Sequence, residues 1–383
     1  MRDSAEDGGK RPVVLSAQGS GPDVIAACRA AFDAAQPALI LFFAPDGAQV
    51  AGLSAGLSRA FGPACRVMGC SSAGGFAFGG YDDDGVVVIG FPAAAFRAEA
   101  IWLPYLRQHM ARDWMGSLRK LADRFEDTPQ RSRFGILLID GMSGREELVT
   151  TTVDATLPEL MVLGGSAGDG LRFGQTHLAL DGRSLPESAM FCMISTDFAV
   201  EEVVFDPFIP SSARMIVTDA DPDNRLIREI NAEPAVEEYA RLIGVAPDRL
   251  GPNAYAANPI LERSNGRHFV RAISGVTPEG WLKLMSAVET GAILKLGRAE
   301  SLTRGLREKL NQIGTVELVL GFDCILRRIA LEQAGQADKI SALYRDFRIA
   351  GFNTYGEQHC GIHVNQTFAG LAFVKREGAH VAR

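Results

Sequence analysis

The sequence predicts an α/β (mixed α+β) protein of two docked domains, each a mixed β-sheet flanked by helices. Three observations carry this. The chain has 383 residues, enough at roughly 100–200 residues per domain for two cores. Short runs rich in Val, Ile, Leu and Phe alternate with segments of helical periodicity. The composition, 47% hydrophobic and 22% charged, is that of an ordinary globular chain and argues against disorder or a fibrous architecture.

The elements follow in order. PVVLSAQ (12–18) reads as a strand, and the Ala-rich stretch 23–35, with Pro22 and Asp23 at its start, as a helix. ALILFFAP (38–45) and CRVMGCSS (65–72) are buried strands on either side of a helix at 48–61. GVVVIGF (85–91) and FRAEAIWLP (96–104) precede a helix at 108–125 and the strand FGILLIDG (134–141). LMVLGGSAG (160–168), QTHLAL (175–180) and AMFCMIST (189–196) are further strands. The Pro-punctuated VEEVVFDPFIPSSARM (200–215) marks the expected boundary, giving domains at 1–205 and 206–383. The second half reads as the strand and turn MIVTDADPDN, a helix at 225–242, the strand RHFVRAISG and a helix at 300–312. It continues with the strand TVELVLGFDC (315–324), a helix at 325–347 and a closing pair of polar strands. No repeat with a fixed period of about 20–50 residues is visible, which argues against a solenoid or propeller.

A net charge of −7 disfavours a nucleic-acid partner, because such binding needs a basic footprint to neutralise phosphates. The first residues, MRDSAEDGGKRP, lack the apolar core of a secretory signal, and no apolar run reaches the roughly 18–20 residues that span a bilayer. A cytoplasmic protein with no membrane partner is expected. The six cysteines form no CxxC pair and are expected to be reduced thiols.

Several Gly-rich turns follow strands. GCSSAGGFAFGG (69–80) lacks the P-loop ending and reads as a tight turn that can line a pocket. LGGSAGDGLRFGQTHL (163–178) resembles it, CSSAGG beside GGSAGD, and carries Asp169, Arg172 and His177 at a strand end where α/β sheets commonly bind ligands. In LIDGMSGREEL (138–148), Glu146 and Glu147 fall in a first helical turn, where capping accounts for them. In GFDCILRR (321–328), Asp323 reads as a helix cap and Cys324 as a buried thiol.

The densest polar stretch is AGFNTYGEQHCGIHVNQTFAGLAF (350–373), which sets ten hydrogen-bonding side chains between apolar flanks. It reads as the floor of a ligand pocket, with Phe352 and Phe368 as walls. His359 and His363 are four apart, a metal-pair spacing on a helix, but Gly356 and Gly361 favour turn and strand instead. His109, His268 and His380 carry no such context. Glu357 beside His359 and Cys360 offers acid–base or nucleophilic groups, but no base–nucleophile spacing marks an enzyme.

DGMSGREEL, VLGGSAGDGLRF, GFDCILRR and above all GFNTYGEQHCGIHVNQTF resemble the FIST family of bacterial sensory domains, from about residue 30 to 374. The resemblance implies an N-terminal FIST domain joined to a C-terminal one. The C-terminal wording is most similar to the NosP-type nitric-oxide-sensing haem proteins. That implies haem b as cofactor, nitric oxide as ligand, and a sensor histidine kinase or cyclic-di-GMP enzyme regulated in trans, the sequence showing no such module of its own. It also places the iron ligand at His363, inside the signature, with His177 as the alternative and His359 third. A Cys360 thiolate is a minor option. Tyr355, Asn365 and Arg172 join the cofactor-binding set. Other FIST proteins sense small molecules, amino acids among them, without haem. In that alternative Tyr355, Glu357, Asn365, Gln366 and Thr367 hold a polar ligand, aided by Arg172 or Asp169. A homodimer is compatible with either.

Overall fold

A computed structural model describes residues 9–376 other than 126, 127, 129 and 265; His380 lies outside the described residues. The predicted mixed α/β architecture is present, and it is built around a unit that occurs three times. Each unit starts with a buried strand, Pro37–Ala44, Ser132–Ile139 or Val316–Cys324. Each crosses over through helix, Gly47–Phe61, Glu146–Thr156 or the pair Ile325–Gln333 and Ala337–Asp346. Each returns on a parallel strand, Arg66–Ser71, Met161–Ser166 or Ile349–Thr354. Parallel pairing requires such a crossover, since a tight turn reverses the chain.

On one side of each pair lies an antiparallel strand, Val86–Pro92, Ala189–Thr196 or Phe368–Val374. Beyond it comes a second, Val13–Ala17, Phe96–Leu103 or Ala199–Phe205. On the other side each sheet is completed by a hairpin donated from another unit. Leu178–Leu180, which follows the second unit's parallel strand, pairs with Arg66–Ser71 of the first. Glu357–His359, from the third unit, pairs with Met161–Ser166 of the second. Gly75–Ala77, from the first, pairs with Ile349–Thr354 of the third. Three six-stranded sheets of identical order result, linked in a ring.

The period-2 alternation of the strands sends equivalent residues to one shared centre. Leu39, Leu41 and Phe43, Phe134, Ile136 and Leu138, and Leu318, Leu320 and Phe322 are fully buried in a single core. Where the parallel strands end, the three turns touch. Ala73 N donates to Asn353 O at 2.9 Å, Gly168 N to Ser71 O at 3.2 Å, and Tyr355 N to Ser166 O at 3.1 Å. These bonds close a cycle through all three units. Each parallel return strand carries a glycine at the matching position, Gly69, Gly164 and Gly351. A Cβ on Gly164 would lie 1.7 Å from Leu137 O, and one on Gly351 1.8 Å from Gly321 O, so backbone occupies the space a side chain needs.

A fourth sheet of eight strands, within Phe208–Ala299, is inserted between the Ala199–Phe205 strand and the third unit. It has its own core around Met215, Ile227, Tyr239 and Leu294. Here two expectations are corrected. The helix expected at 225–242 is a strand, Leu226–Ile230, and a shorter helix, Ala235–Ile243. Asn231 and Ala232 at φ 57° and 64° form a turn that no helix passes through. The helix expected at 325–347 is broken by Gly335, at φ +62°. Among the described residues no helix is long and apolar enough to cross a membrane.

Candidate functional site

A cleft of about 660 Å³ opens where the second unit meets the fourth sheet. One wall is the turn from Gly141 to the start of the Glu146–Thr156 helix. The facing wall is the 223–225 turn, the strand Ile273–Val276 with residues 277 and 278, and Lys283–Met285. Phe173 and Tyr355 form the floor.

Asp140 sets the first wall. Its carboxylate accepts from Met142 N at 3.0 Å, from Glu187 N at 3.1 Å and from the Thr176 hydroxyl, so the chain turns sharply as the strand ends. Arg107, itself in the cleft wall, pins the same turn, donating to Ser143 O at 3.2 Å and Met142 O at 3.1 Å. The helix then begins with Glu146 and Glu147. These two carboxylates do more than cap it: both bind Nη2 of Arg225 from the facing wall, Glu146 at 2.6 Å. Glu147 also accepts from Ala287 N at 3.1 Å, so both contacts tie the walls together. Burial pushes the Glu146 carboxyl up to about 7 despite the Arg225 charge, while the two carboxylates hold Arg225 firmly protonated against its own burial.

Arg145 and Lys283 also face the cleft, from opposite walls, and both are exposed. Among the described residues neither has a carboxylate partner. With Glu146 and Asp223 they give the cleft both signs of charge.

Tyr355 is a buried part of the floor, its ring 4.6 Å from that of Phe173 and tilted 31° to it. Its hydroxyl donates to the Asp169 carboxylate and accepts from Asp169 N at 3.1 Å and Phe173 N at 3.3 Å. Asp169 in turn accepts from Gly174 N at 3.0 Å and Gln175 N at 2.9 Å. Burial raises the Asp169 carboxyl, but the bonds from Tyr355, Gln175 and Gly174 outweigh it and hold it below its usual value. The Gly-rich turn at 168–175 is thus wired to Tyr355, whose oxygen is committed to that turn.

The rest of the polar stretch does not line this cleft. Asn365 donates to Tyr355 O at 3.1 Å and accepts from Ser286 Oγ at 3.2 Å, bracing the floor from behind. Glu357 accepts from Thr354 and from Thr367 Oγ1 at 2.6 Å, and burial pushes its carboxyl up to about 8. Gln358 donates to Ser166 Oγ at 2.9 Å, joining the donated hairpin to its host strand. Gln366 reaches toward Ala256 O at 3.4 Å. Phe352 is no wall: it stacks on Phe43 at 4.3 Å in the central core, and Phe368 is buried as well. Most of these buried polar groups pair with one another across strands, while Gln358 Oε1, Gln366 Oε1 and His363 Nε2 have no protein partner among the described residues.

The histidines separate. His363 is buried, with Nδ1 3.3 Å from Gln358 Nε2 and Nε2 without a protein partner among the described residues. Burial pushes it down to about 4, so the ring is neutral at pH 7. It opens on a recess of only about 110 Å³ with Glu147, Thr151, Phe269 and Arg271 around it. His177 is half-buried and lines neither cavity: its backbone pairs with Ser71 and its ring covers Gly47. His359 contacts Glu202 through Nδ1. Arg172 is exposed, 3.9 Å from Asp169, and lines neither cavity. Asp323 is not a cap: it binds Arg327 Nη1 at 2.6 Å, Tyr344 at 2.6 Å and Tyr81 at 2.8 Å, linking the third unit to the hairpin it receives.

A haem does not fit these residues. A pocket for a drug-sized ligand spans roughly 300–1,000 Å³, several times the His363 recess, and the recess lining carries charge. The larger cleft has no imidazole in its wall, and its Tyr355 oxygen is already fully bonded. Sequence reasoning singled out Tyr355 and read Glu146 as a cap, and it did not single out Arg145, Arg225 or Lys283. The phrase DGMSGREEL contained one of these; Arg225 was read as the first residue of a helix, where the structure has a left-handed residue before a strand, and Lys283 lay in a segment that carried no motif.

Comparison with protein families supplies the remaining finding. The FIST N domain model matches residues 38–233 and the FIST C domain model residues 235–360. No curated protein matches the chain.

Proposed function

The chain belongs to the FIST family, whose domains are signal-sensing modules, and from that premise we propose that its signal is a small polar molecule bearing a carboxylate, of the amino-acid kind. The carrying observation is the charge pattern of the cleft: Arg145 and Lys283 face it from opposite walls without carboxylate partners, beside Glu146 and Asp223. A ligand carboxylate would be held between the two cations and an ammonium group against Asp223, above the floor of Phe173 and Tyr355. Binding draws together two walls that Glu146, Glu147 and Arg225 already couple, and so favours a closed state over an open one. The output passes to a partner in trans, a sensor histidine kinase or a cyclic-di-GMP enzyme. This reading gives the protein no catalytic residue.

A thermal-shift panel of amino acids and dicarboxylates tests it. A ligand at about 100 times its Kd should add about 2.7 kcal/mol of stability. The reading fails if no carboxylate-bearing compound raises the transition.

One observation favours a haem-based nitric oxide sensor of the NosP type: the buried Nε2 of His363 has no protein partner among the described residues. The recess volume stands against it. A stoichiometric Soret band that responds to nitric oxide and is lost in His363→Ala would replace the amino-acid reading.

A further inference from the structure

Away from both cavities, the tip of the hairpin formed by Glu357–His359 and Ile362–Val364 lies beside the Ala199–Phe205 strand. We propose that Glu202, His359 and Cys360 form a zinc-binding site at this junction. One ligand atom from each residue, a carboxylate oxygen, an imidazole nitrogen and a thiol sulfur, lies within 4.8 Å of the other two. Tetrahedral zinc with bonds of about 2.0–2.3 Å sets its ligand atoms roughly 3.3–3.8 Å apart, so small side-chain rotations suffice. The His359 ring already contacts the Glu202 carboxylate.

The chemistry is consistent with that ion. A thiolate and a carboxylate balance the double positive charge, and a sulfur, nitrogen and oxygen set suits zinc better than magnesium or calcium, which take oxygen. Cys360 is exposed, which leaves a fourth position open to water. The turn itself is unusual. Cys360 and Gly361 stand at φ 46° and 72°, the two left-handed positions of a two-residue hairpin loop that Asn-Gly ordinarily fills. A cysteine in the first position is conformationally disfavoured, yet it is placed beside His359 and Glu202. The ion would clamp the hairpin at the edge of the second sheet to the edge strand of the third, and that hairpin also carries Glu357 and His363.

The test uses the full chain, stripped with a chelator and titrated with Co²⁺. The other five cysteines are buried, and burial pushes their thiols up, Cys28 and Cys65 to about 12, so a thiolate-to-cobalt charge-transfer band reports Cys360. One Co²⁺ per chain is expected, with that band present and displaced by Zn²⁺. Cys360→Ser, at an exposed turn, should abolish the band without lowering the melting temperature of the metal-free protein. Glu202→Gln should weaken binding by at least about tenfold. Co²⁺ that binds without the band, a band that survives Cys360→Ser, or no binding at all would each overturn the site.

Discussion

Glu357 shows how far single residues here depart from their usual chemistry. With its carboxyl at about 8 against an ordinary 4.5, it stays protonated in the fold while the unfolded chain ionises. Between those values the folded state holds more protons, so stability falls as pH rises from 4.5 to 8. Glu146, at about 7, acts in the same direction over a narrower window. His363 acts oppositely: its folded value of about 4 against 6.5 means that stability is lost as pH falls from 6.5 to 4. Glu357→Gln replaces a neutral acid by a neutral amide of the same shape. Denaturant unfolding across this range should show a shallower alkaline decline for the variant and an unchanged acid decline. Superimposable alkaline limbs would mean that Glu357 is not held neutral.

At the scale of elements, the parallel return strands admit almost no change on one face. Gly351→Ala sets a Cβ against the Gly321 carbonyl in the middle of a sheet, where no rotamer relieves it. Overpacking typically costs about 1–3 kcal/mol, and a backbone clash belongs at the upper end of that range or beyond. Gly116→Ala, in the Ala111–Arg124 helix with nothing within 4 Å, should instead stabilise by about 0.5–1 kcal/mol. Chemical denaturation of the pair checks both signs. Most of these elements were legible: PALILFFA is a continuous apolar run and VELVLGFDC is one interrupted only by Glu317 and Asp323, and fully buried strands read that way. The strand Leu226–Ile230 was not legible. Its charged residues mimic a helix surface, and the left-handed turn that ends it uses Asn231 and Ala232 without a glycine.

The whole molecule is a ring of three exchanged units with one sheet inserted. Two of the three central turns were recognisable as kin from CSSAGG and GGSAGD. The third was not, because Asn353 and Tyr355 stand where the others have Ser71, Ser166, Ala73 and Gly168, and the inserted sheet spaces the third unit far from the second. The polar stretch at 350–373 was visibly unusual, yet a sequence does not distinguish buried polar groups that face each other from those that face a ligand. The cleft was illegible for a related reason: Arg145, Arg225 and Lys283 come from distant segments that only the docked fourth sheet brings together. The broken ring symmetry is also what makes the site, since Tyr355 at the centre and the inserted sheet beside it exist in one unit alone.

The most direct test is calorimetric titration of the wild-type protein and the Lys283→Glu variant with the best carboxylate ligand from the thermal panel. A charge-assisted bond contributes about 1.5–3 kcal/mol, so the variant should bind at least about tenfold more weakly, with its unfolding transition unchanged in the absence of ligand. Equal affinity in the two proteins would contradict the cleft as the sensory site.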